Sequence, residues 1–508
     1  MGLDAALSIA SGGIANVSAE LALVSHNVAN AGTAGYVTET GTQTALDAGG
    51  VGMGVRTGPA IRLVDAQLQA SVQAQTSVVA SLTTQQSALQ AIDSVQGTPG
   101  QGQDLGSLLG VLGNQFSTLL NDPSNATQQA AVATAASALT GQINALSNAY
   151  TAQRQNAQNA IVTAVGTVNT ALAAIGSLSD QIMAAQAAGR STADLANQRA
   201  AQVASLAQIL DVKTLTQPNG DMIVTTASGT ELPTHAPANP LSTSGANTQP
   251  GSYYPGGGIP PVMLGGADVT AALTGGQLGA NFALRDTSLP TSQAELDEFS
   301  QNLASRFAGQ GLALFTDGAG AVPAGGGVPA QAGYVGFAAT IEVNPAVTAS
   351  PSLVRDGTTA IAGSPTGASA FTPNPAGGPA GFATLITRIV QYALGAQAQP
   401  GVAQPASHMS GLGATGTLAA PYASQPTLGG IATALVGAQA AASAAVTSQL
   451  STEQAATTNL QGQLTTQSGV NMDTQMSQMI ALQTAYGANA KVIAAVQAMY
   501  SQLLSAVQ

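Results

Sequence analysis

Apolar residues recur near the N-terminus at alternating steps of four and three. Leu3, Leu7, Ala10, Ile14, Val17, Leu21, Val24 and Val28 form a heptad seam, which predicts a helix that needs a partner helix. Gly12 and Gly13 interrupt it, each weakening an isolated helix by roughly 1 kcal/mol, so the helix is expected to form poorly until it docks. The C-terminus mirrors this pattern. Met472, Met476, Met479, Leu482, Tyr486, Ile493, Val496, Tyr500, Leu503 and Val507 keep helical steps. Two readings stay open: each stripe is an ordinary core face, or the two termini pair with each other and with neighbouring copies.

Further helical stripes lie between the ends. Leu68, Val72, Val79, Leu82 and Leu89 form one, and Ile161, Val165, Val168, Leu172, Ile175, Leu178 and Ile182 another. Residues 124–187 contain no Pro and read as one very long helix. A later stripe runs through Ile431, Leu435, Val446, Leu450, Leu460 and Leu464. Long helices toward both ends predict a discontinuous bundle into which the middle of the chain is inserted.

The middle differs in texture. Val224-Thr225-Thr226 follows the turn Pro218-Asn219-Gly220-Asp221 and reads as part of a strand pair. Residues 236–262 are Pro/Gly-rich and read as a loop. A helix is expected to start at the capping box Ser292-Gln-Ala-Glu295, just after Pro290, with Leu296, Phe299, Leu303 and Phe307 inward. Tyr334-Val-Gly-Phe337 and Thr340-Ile-Glu-Val343 read as strands, and residues 395–428 as irregular. The fold class is therefore mainly α with a β-rich insertion. Its expected units are 1–65 with 470–508 (paired, coiled-coil-like terminal helices), 66–212 with 425–469 (helical bundle), and 213–424 (outer β-containing insertion).

Composition narrows the function. The chain has 508 residues with 11 basic and 23 acidic side chains, 7% charged, against about 25% in a typical soluble domain. A net charge of −12 disfavours a nucleic-acid partner held by phosphate contacts. Absence of Cys excludes disulfides, iron–sulfur clusters and thiolate zinc sites. His26, His235 and His408 are too scattered to suggest a metal centre. No phosphate loop, GxSxG elbow or HExxH occurs. Glu295, Asp297 and Glu298 form the densest carboxylate group, and a solvated helix face is the expectation; Asp194 and Arg199 are likewise expected on a helix surface. No catalytic residue, cofactor or metal is therefore expected.

The first Arg is Arg56, so the N-terminus lacks the basic region of a secretory signal peptide, and export without a cleaved leader is the expectation. Between Arg388 and Glu453 there is no Asp, Glu, Lys or Arg, yet recurring Gln, Ser, Thr, Pro and Gly argue against a membrane span or membrane partner.

Residues 25–36, Ser-His-Asn-Val-Ala-Asn-Ala-Gly-Thr-Ala-Gly-Tyr, resemble the N-terminal signature of flagellar rod, hook and hook-associated proteins, approximately N-N-I-A-N-x-x-T-P-G-Y. His26 replaces the first Asn, and Ala34 the usual Pro. Ser468-Gly-Val-Asn-Met-Asp473, Leu482-Gln-Thr-Ala-Tyr486 and Ala488-Asn-Ala-Lys-Val-Ile493 look like the matching C-terminal signature. Asp194-Leu-Ala-Asn-Gln-Arg199, the strand pair up to Gly229, and Leu273-Thr-Gly-Gly-Gln-Leu278 with Leu284-Arg-Asp286 resemble the hook-associated protein 1 family of hook–filament junction proteins.

The resemblance implies a structural, extracellular subunit exported by the flagellar type III route. It implies a ring homo-oligomer whose partners are hook protein, a second junction protein or flagellin, and an export chaperone. The implied assembly interface comprises Asn27, Asn30, Gly35, Tyr36 and the apolar residues of both terminal seams. Two alternatives remain: another axial component (distal rod or hook protein), or a secreted enzyme domain carried on a flagellar scaffold.

Overall fold

The computed structural model describes residues 2–33, 35–48, 51–235 and 240–507. Ala34 and the side chain of Val507 fall outside what is described. Helix α1 (Leu3–Ala29) runs unbroken through Gly12 and Gly13. Four short strands follow: β1 (Glu39–Thr40), β2 (Gln43–Ala48), β3 (Val51–Thr57) and β4 (Ile61–Arg62). β2 and β3 form a hairpin, and β1 pairs antiparallel with β4, setting Glu39 opposite Arg62.

Asp65 opens α2 (Ala66–Gln96) by accepting the amides of Gln67 and Leu68, both at 3.0 Å. Asp104 caps α3 (Leu105–Asn121) through Ser107. α4 (Ala126–Ala187) is the expected long helix, 62 residues and thus about 93 Å end to end. Its length lets it serve two cores. Ile143, Leu146 and Tyr150 lie in one, and Ile161, Val168 and Ile175 in the other. α5 (Ala193–Ile209) returns along it to a three-stranded antiparallel sheet ordered β5 (Val212–Thr216), β6 (Met222–Thr226), β7 (Glu231–Leu232). At Gly176 the chain crosses so closely that a Cβ would sit 1.8 Å from the Thr234 carbonyl oxygen.

α6 (Gly276–Ala283) continues through a π-turn, Leu284–Ser288, into α7 (Leu289–Gly309). The expected start at Ser292 is therefore displaced upstream. Ser292 is no cap; its hydroxyl donates to the Ser288 carbonyl at 3.3 Å. Pro290 lacks the amide that a regular helix needs, and the wider π-turn absorbs the misfit. It also leaves the Arg285 carbonyl free to accept Nε of buried Arg154 at 3.0 Å. Tyr334-Val-Gly-Phe337 is a turn leading into the short helix Phe337–Thr340, and only Glu342–Val343 of the second proposed strand pairs, with Phe315–Thr316. Tyr334 and Phe337 are buried against α7, so packing outweighs their strand propensity. The chain ends in α8 (Leu428–Ser468) and α9 (Met472–Val507).

The fold is mainly α, with a β-containing middle. The cores do not divide at residue 213. Leu296, Phe299, Leu303 and Phe307 of α7 are fully buried in one cluster with Leu112 and Phe116 of α3 and Ile431 and Leu435 of α8. By length and hydropathy, α1, α4 and the α8–α9 run are long and apolar enough to cross a membrane; half of the qualifying α4 window is buried inside the protein.

Candidate functional site

The two ends of the chain pair within one molecule. α1 lies along α9 in antiparallel sense. Asn27 meets Gln475, Gly13 meets Asn489, and the Tyr500 hydroxyl donates to Asp4. Seam residues Ala10, Val17, Val24 and Val496 are buried. Leu3, Leu7, Ile14, Leu21, Val28, Met479, Leu482, Ile493 and Tyr500 are half-buried. Gly13 has a steric purpose here, because a Cβ would stand 3.0 Å from the Asn489 amide.

Not every apolar residue of the C-terminal stripe reaches the seam. Met476, Tyr486 and Leu503 are exposed, Leu503 by 57%. Met476 is off the heptad, whose place is taken by Gln475. Leu503 projects past the start of α1 at Leu3, since Tyr500 already reaches Asp4.

At the other end of the pair the signature residues build a polar joint. Asn27 is 1% exposed and makes four hydrogen bonds. Its Nδ2 donates to the Glu39 carbonyl (2.8 Å) and to Gln475 Oε1 (3.2 Å). Its Oδ1 accepts the Glu39 amide and the Tyr36 hydroxyl, both at 3.0 Å. Asn30 caps α1 by donating to the His26 carbonyl at 3.0 Å. Gly35 turns the chain at φ +76°, which favours glycine. Tyr36 stacks edge-on to His26, and its hydroxyl lies 3.2 Å from His26 Nδ1.

Residues outside the N-terminal signature complete the joint. Asn197 of α5 accepts the Val37 amide and donates to the Glu39 carboxylate at 3.0 Å. Thr38 donates its amide to the Ser468 carbonyl (2.9 Å) and its hydroxyl to the Gly469 carbonyl (2.7 Å), holding the break between α8 and α9. Buried Glu39 has its carboxyl pushed above the ordinary range by desolvation, partly offset by the Asn197 hydrogen bond. Burial and the neighbouring Glu39 raise the Tyr36 hydroxyl as well. The joint thus ties the terminal pair to the body through α5 and α8. Glu39 and Gln475 carry no sequence signal beyond being polar residues near apolar stripes, whereas Asn197 lies within the Asp194–Arg199 motif, which does not say what it contacts.

Two charge expectations are overturned. Arg199 is buried, donating to the Ser179 hydroxyl (2.9 Å) and the Gly220 carbonyl (2.7 Å), while Asp194 remains exposed. Glu295, Asp297 and Glu298 are also buried, because α7 is wrapped on all sides. Asp297 accepts the Gly336 and Ala338 amides at 2.8 and 2.9 Å, yet burial pushes its carboxyl up to about 7. Glu298 accepts the Tyr334 hydroxyl (2.6 Å) and the His408 amide (2.8 Å). Burial alone pushes Glu295 up to about 8. The Asp297 and Glu298 carboxyls staple loops to the helix. Among the described residues no His/Asp/Glu group could hold a metal ion.

No curated protein matches the chain. Among solved structures, the flagellar hook junction protein FlgK from Burkholderia pseudomallei matches at 24% identity with a TM-score of 0.40, over 50% of this chain. The match spans 45% of that protein, so this chain aligns with less than half of its relative. Residues 460–506 match the model for the flagellar basal body rod FlgEFG protein C-terminal, which covers nearly all of α9. Residues 89–313 match the model for the flagellar hook-associated protein FlgK helical domain, which spans α3 to α7. Matches to an axial C-terminal helix and to a hook-associated helical body thus occur in one chain.

Proposed function

We propose that this protein is a structural subunit of the bacterial flagellum at the junction between hook and filament, needed for filament attachment. The observation that carries this reading is the antiparallel α1–α9 pair, locked to the body by the Asn27 joint, in a chain with the FlgK helical domain. The role is mechanical, and no reaction is assigned to the chain. Its proposed units are 1–65 with 470–508, 66–212 with 425–469, and 213–424, the last sharing buried contacts with the second. Its proposed partners are further copies of itself in a ring, hook protein, a second junction protein or flagellin, and an export chaperone. Exposed Met476, Tyr486 and Leu503 on α9 support contact with neighbouring copies.

Export is proposed to proceed by the flagellar type III route without removal of the N-terminus. Support comes from α1 itself: cleaving it would leave the α9 seam without a partner. Electron microscopy of a deletion strain tests the assignment. Intact hooks with filament monomer lost to the medium are expected. Filaments of normal length, or loss of the hook itself, would refute it. N-terminal sequencing of sheared appendages tests the export route, which removal of about 20 residues would contradict.

A further inference from the structure

Buried carboxyls in this protein are held by hydrogen bonds. Glu39 accepts from Asn197, Asp104 from Ser107, Asp297 from the Gly336 and Ala338 amides, and Glu298 from Tyr334. Glu295, on α7, is the exception among the described residues. It is 6% exposed, yet its carboxyl makes no hydrogen bond and no ion pair. Burial is the sole cause of its raised value, so no neighbouring charge compensates for the water it has lost. The Tyr150 hydroxyl nearby is sealed off without a partner; the Glu295 oxygens are not sealed and keep accessible surface. A buried carboxyl without a donor is costly, and native structures meet such groups with a partner.

That surface faces a cavity of about 280 Å³ where α2, α4, α7 and α8 meet. Spaces between the helices of a bundle are common ligand sites, and this volume lies at the small end of them. Leu89 of α2, Leu284 of the π-turn, Leu289 of α7, and Leu435 and Val446 of α8 make the walls apolar. Thr291 and Ser292 also line the cavity, but their hydroxyls already donate to the Thr287 and Ser288 carbonyls of their own helix. No basic residue lines it among the described residues. The titratable groups around Glu295 are Tyr150 on α4, Tyr422 ahead of α8, Asp93 on α2 and Glu298 on α7, all of them acids. Asp93 is engaged by Gln439 and Ser443 of α8, and burial keeps both tyrosines neutral. One unanswered acid thus stands at the edge of an apolar space with no cation of the chain to meet it.

We propose that this cavity binds a small amphipathic ammonium, its N–H groups donating to Glu295 and its apolar body lying along the leucine walls. Charge-assisted hydrogen bonds to a carboxylate are about twice as strong as neutral ones. A ligand anion would face Glu295 with like charge, and a neutral alcohol would forfeit the ion pair. A metal ion is not suited to the site, because among the described residues no group of three His, Asp or Glu comes together. Burial pushes the free Glu295 carboxyl up to about 8, so at neutral pH the entering ammonium displaces its proton to solvent.

The test is a titration of the full-length protein with benzylammonium chloride, benzyl alcohol and sodium benzoate, which share a ring and differ in charge, read by calorimetry and by thermal shift. Benzylammonium is expected to bind saturably and raise the melting temperature. Benzyl alcohol and benzoate should bind at least about tenfold more weakly. Benzylammonium affinity should rise roughly fiftyfold from pH 6 to pH 8, as the ionised fraction of Glu295 grows from about 1% to about half. Glu295→Gln keeps the shape of the side chain; it should bring benzylammonium down to the affinity of benzyl alcohol and remove the pH dependence. Ala442→Phe, at an exposed position at the mouth, should block benzylammonium binding. Should that variant unfold, Glu295→Gln decides alone. Absence of saturable benzylammonium binding by the wild type would mean that water meets Glu295, and overturns the proposal. So does benzoate or benzyl alcohol binding as tightly as benzylammonium. Wild-type affinity in Glu295→Gln, or in a folded Ala442→Phe, would place the ligand elsewhere and also overturns it.

Discussion

Replacing Asn27 by Ala should release the terminal helix pair while leaving the body folded. The substitution removes four hydrogen bonds at a 1% exposed position. Each is worth about 1 kcal/mol net, and the Glu39 amide is left buried without its partner at a further cost of about 1 kcal/mol or more. The sum, about 5 kcal/mol, corresponds to an opening equilibrium raised by a factor of roughly 10³ to 10⁴. The damage stays local because of where the cores lie. Ala10, Val17, Val24 and Val496 belong to neither main hydrophobic cluster. Opening α1 and α9 therefore exposes little of the apolar surface that holds the body. Hydrogen exchange followed by mass spectrometry should show faster exchange in residues 3–29 and 472–507 and unchanged protection across α3, α4 and α7. Unchanged exchange in α1, or an equal loss of protection in α4, would refute the reasoning. The first would mean that the apolar seam suffices without the joint. The second would mean that terminal pair and body unfold as one unit.

Leu503→Asp should leave the monomer within about 0.5 kcal/mol of wild type, since Leu503 is 57% exposed, while abolishing ring assembly; a fall of several degrees in monomer melting would contradict this. Glu295→Gln tests the buried acid. Its folded value, about 8, lies above its ordinary 4.5, so stability is full below pH 4.5 and is lost as pH rises toward 8. The variant should therefore gain on the wild type by about 4 kcal/mol between pH 5 and pH 8 in urea unfolding, and parallel pH profiles would show the carboxyl to be solvated. Gly176→Ala should destabilise the protein by about 2–3 kcal/mol despite better helix propensity, because the new methyl would stand 1.8 Å from the Thr234 carbonyl; a neutral or stabilising result would show that the 233–235 segment gives way freely.

Periodicity made the helices legible. The Leu3–Val28 seam, the Pro-free run that becomes α4, and the inward face of α7 follow from apolar spacing, which depends only on local helix geometry. Asn27, Asn30, Gly35 and Tyr36 were legible through a motif, and they converge on one joint. Their partners were not. Glu39 and Gln475 are ordinary polar residues, and Asn197 sits in a motif that does not point to this joint; the importance of all three comes from burial, and burial is a property of the fold.

Charge was misread for the same reason. A run such as Glu295, Asp297, Glu298 faces water on an isolated helix, but α7 is enclosed by α4, α8 and the 334–338 turn, so all three carboxyls are buried and those of Asp297 and Glu298 become internal acceptors. The π-turn that accommodates Pro290 is likewise tertiary in origin, since Arg154 takes up the carbonyl it frees. By itself the sequence determined the long helices α1, α2, α4, α8 and α9, their apolar stripes, and that the N-terminal helix needs a partner, because side-chain periodicity and propensity act over a few residues. Only the tertiary structure decided that the ends serve each other in antiparallel register and that residues beyond 213 share a core with the bundle. Those outcomes depend on which surfaces meet, and residues far apart in the chain settle that together.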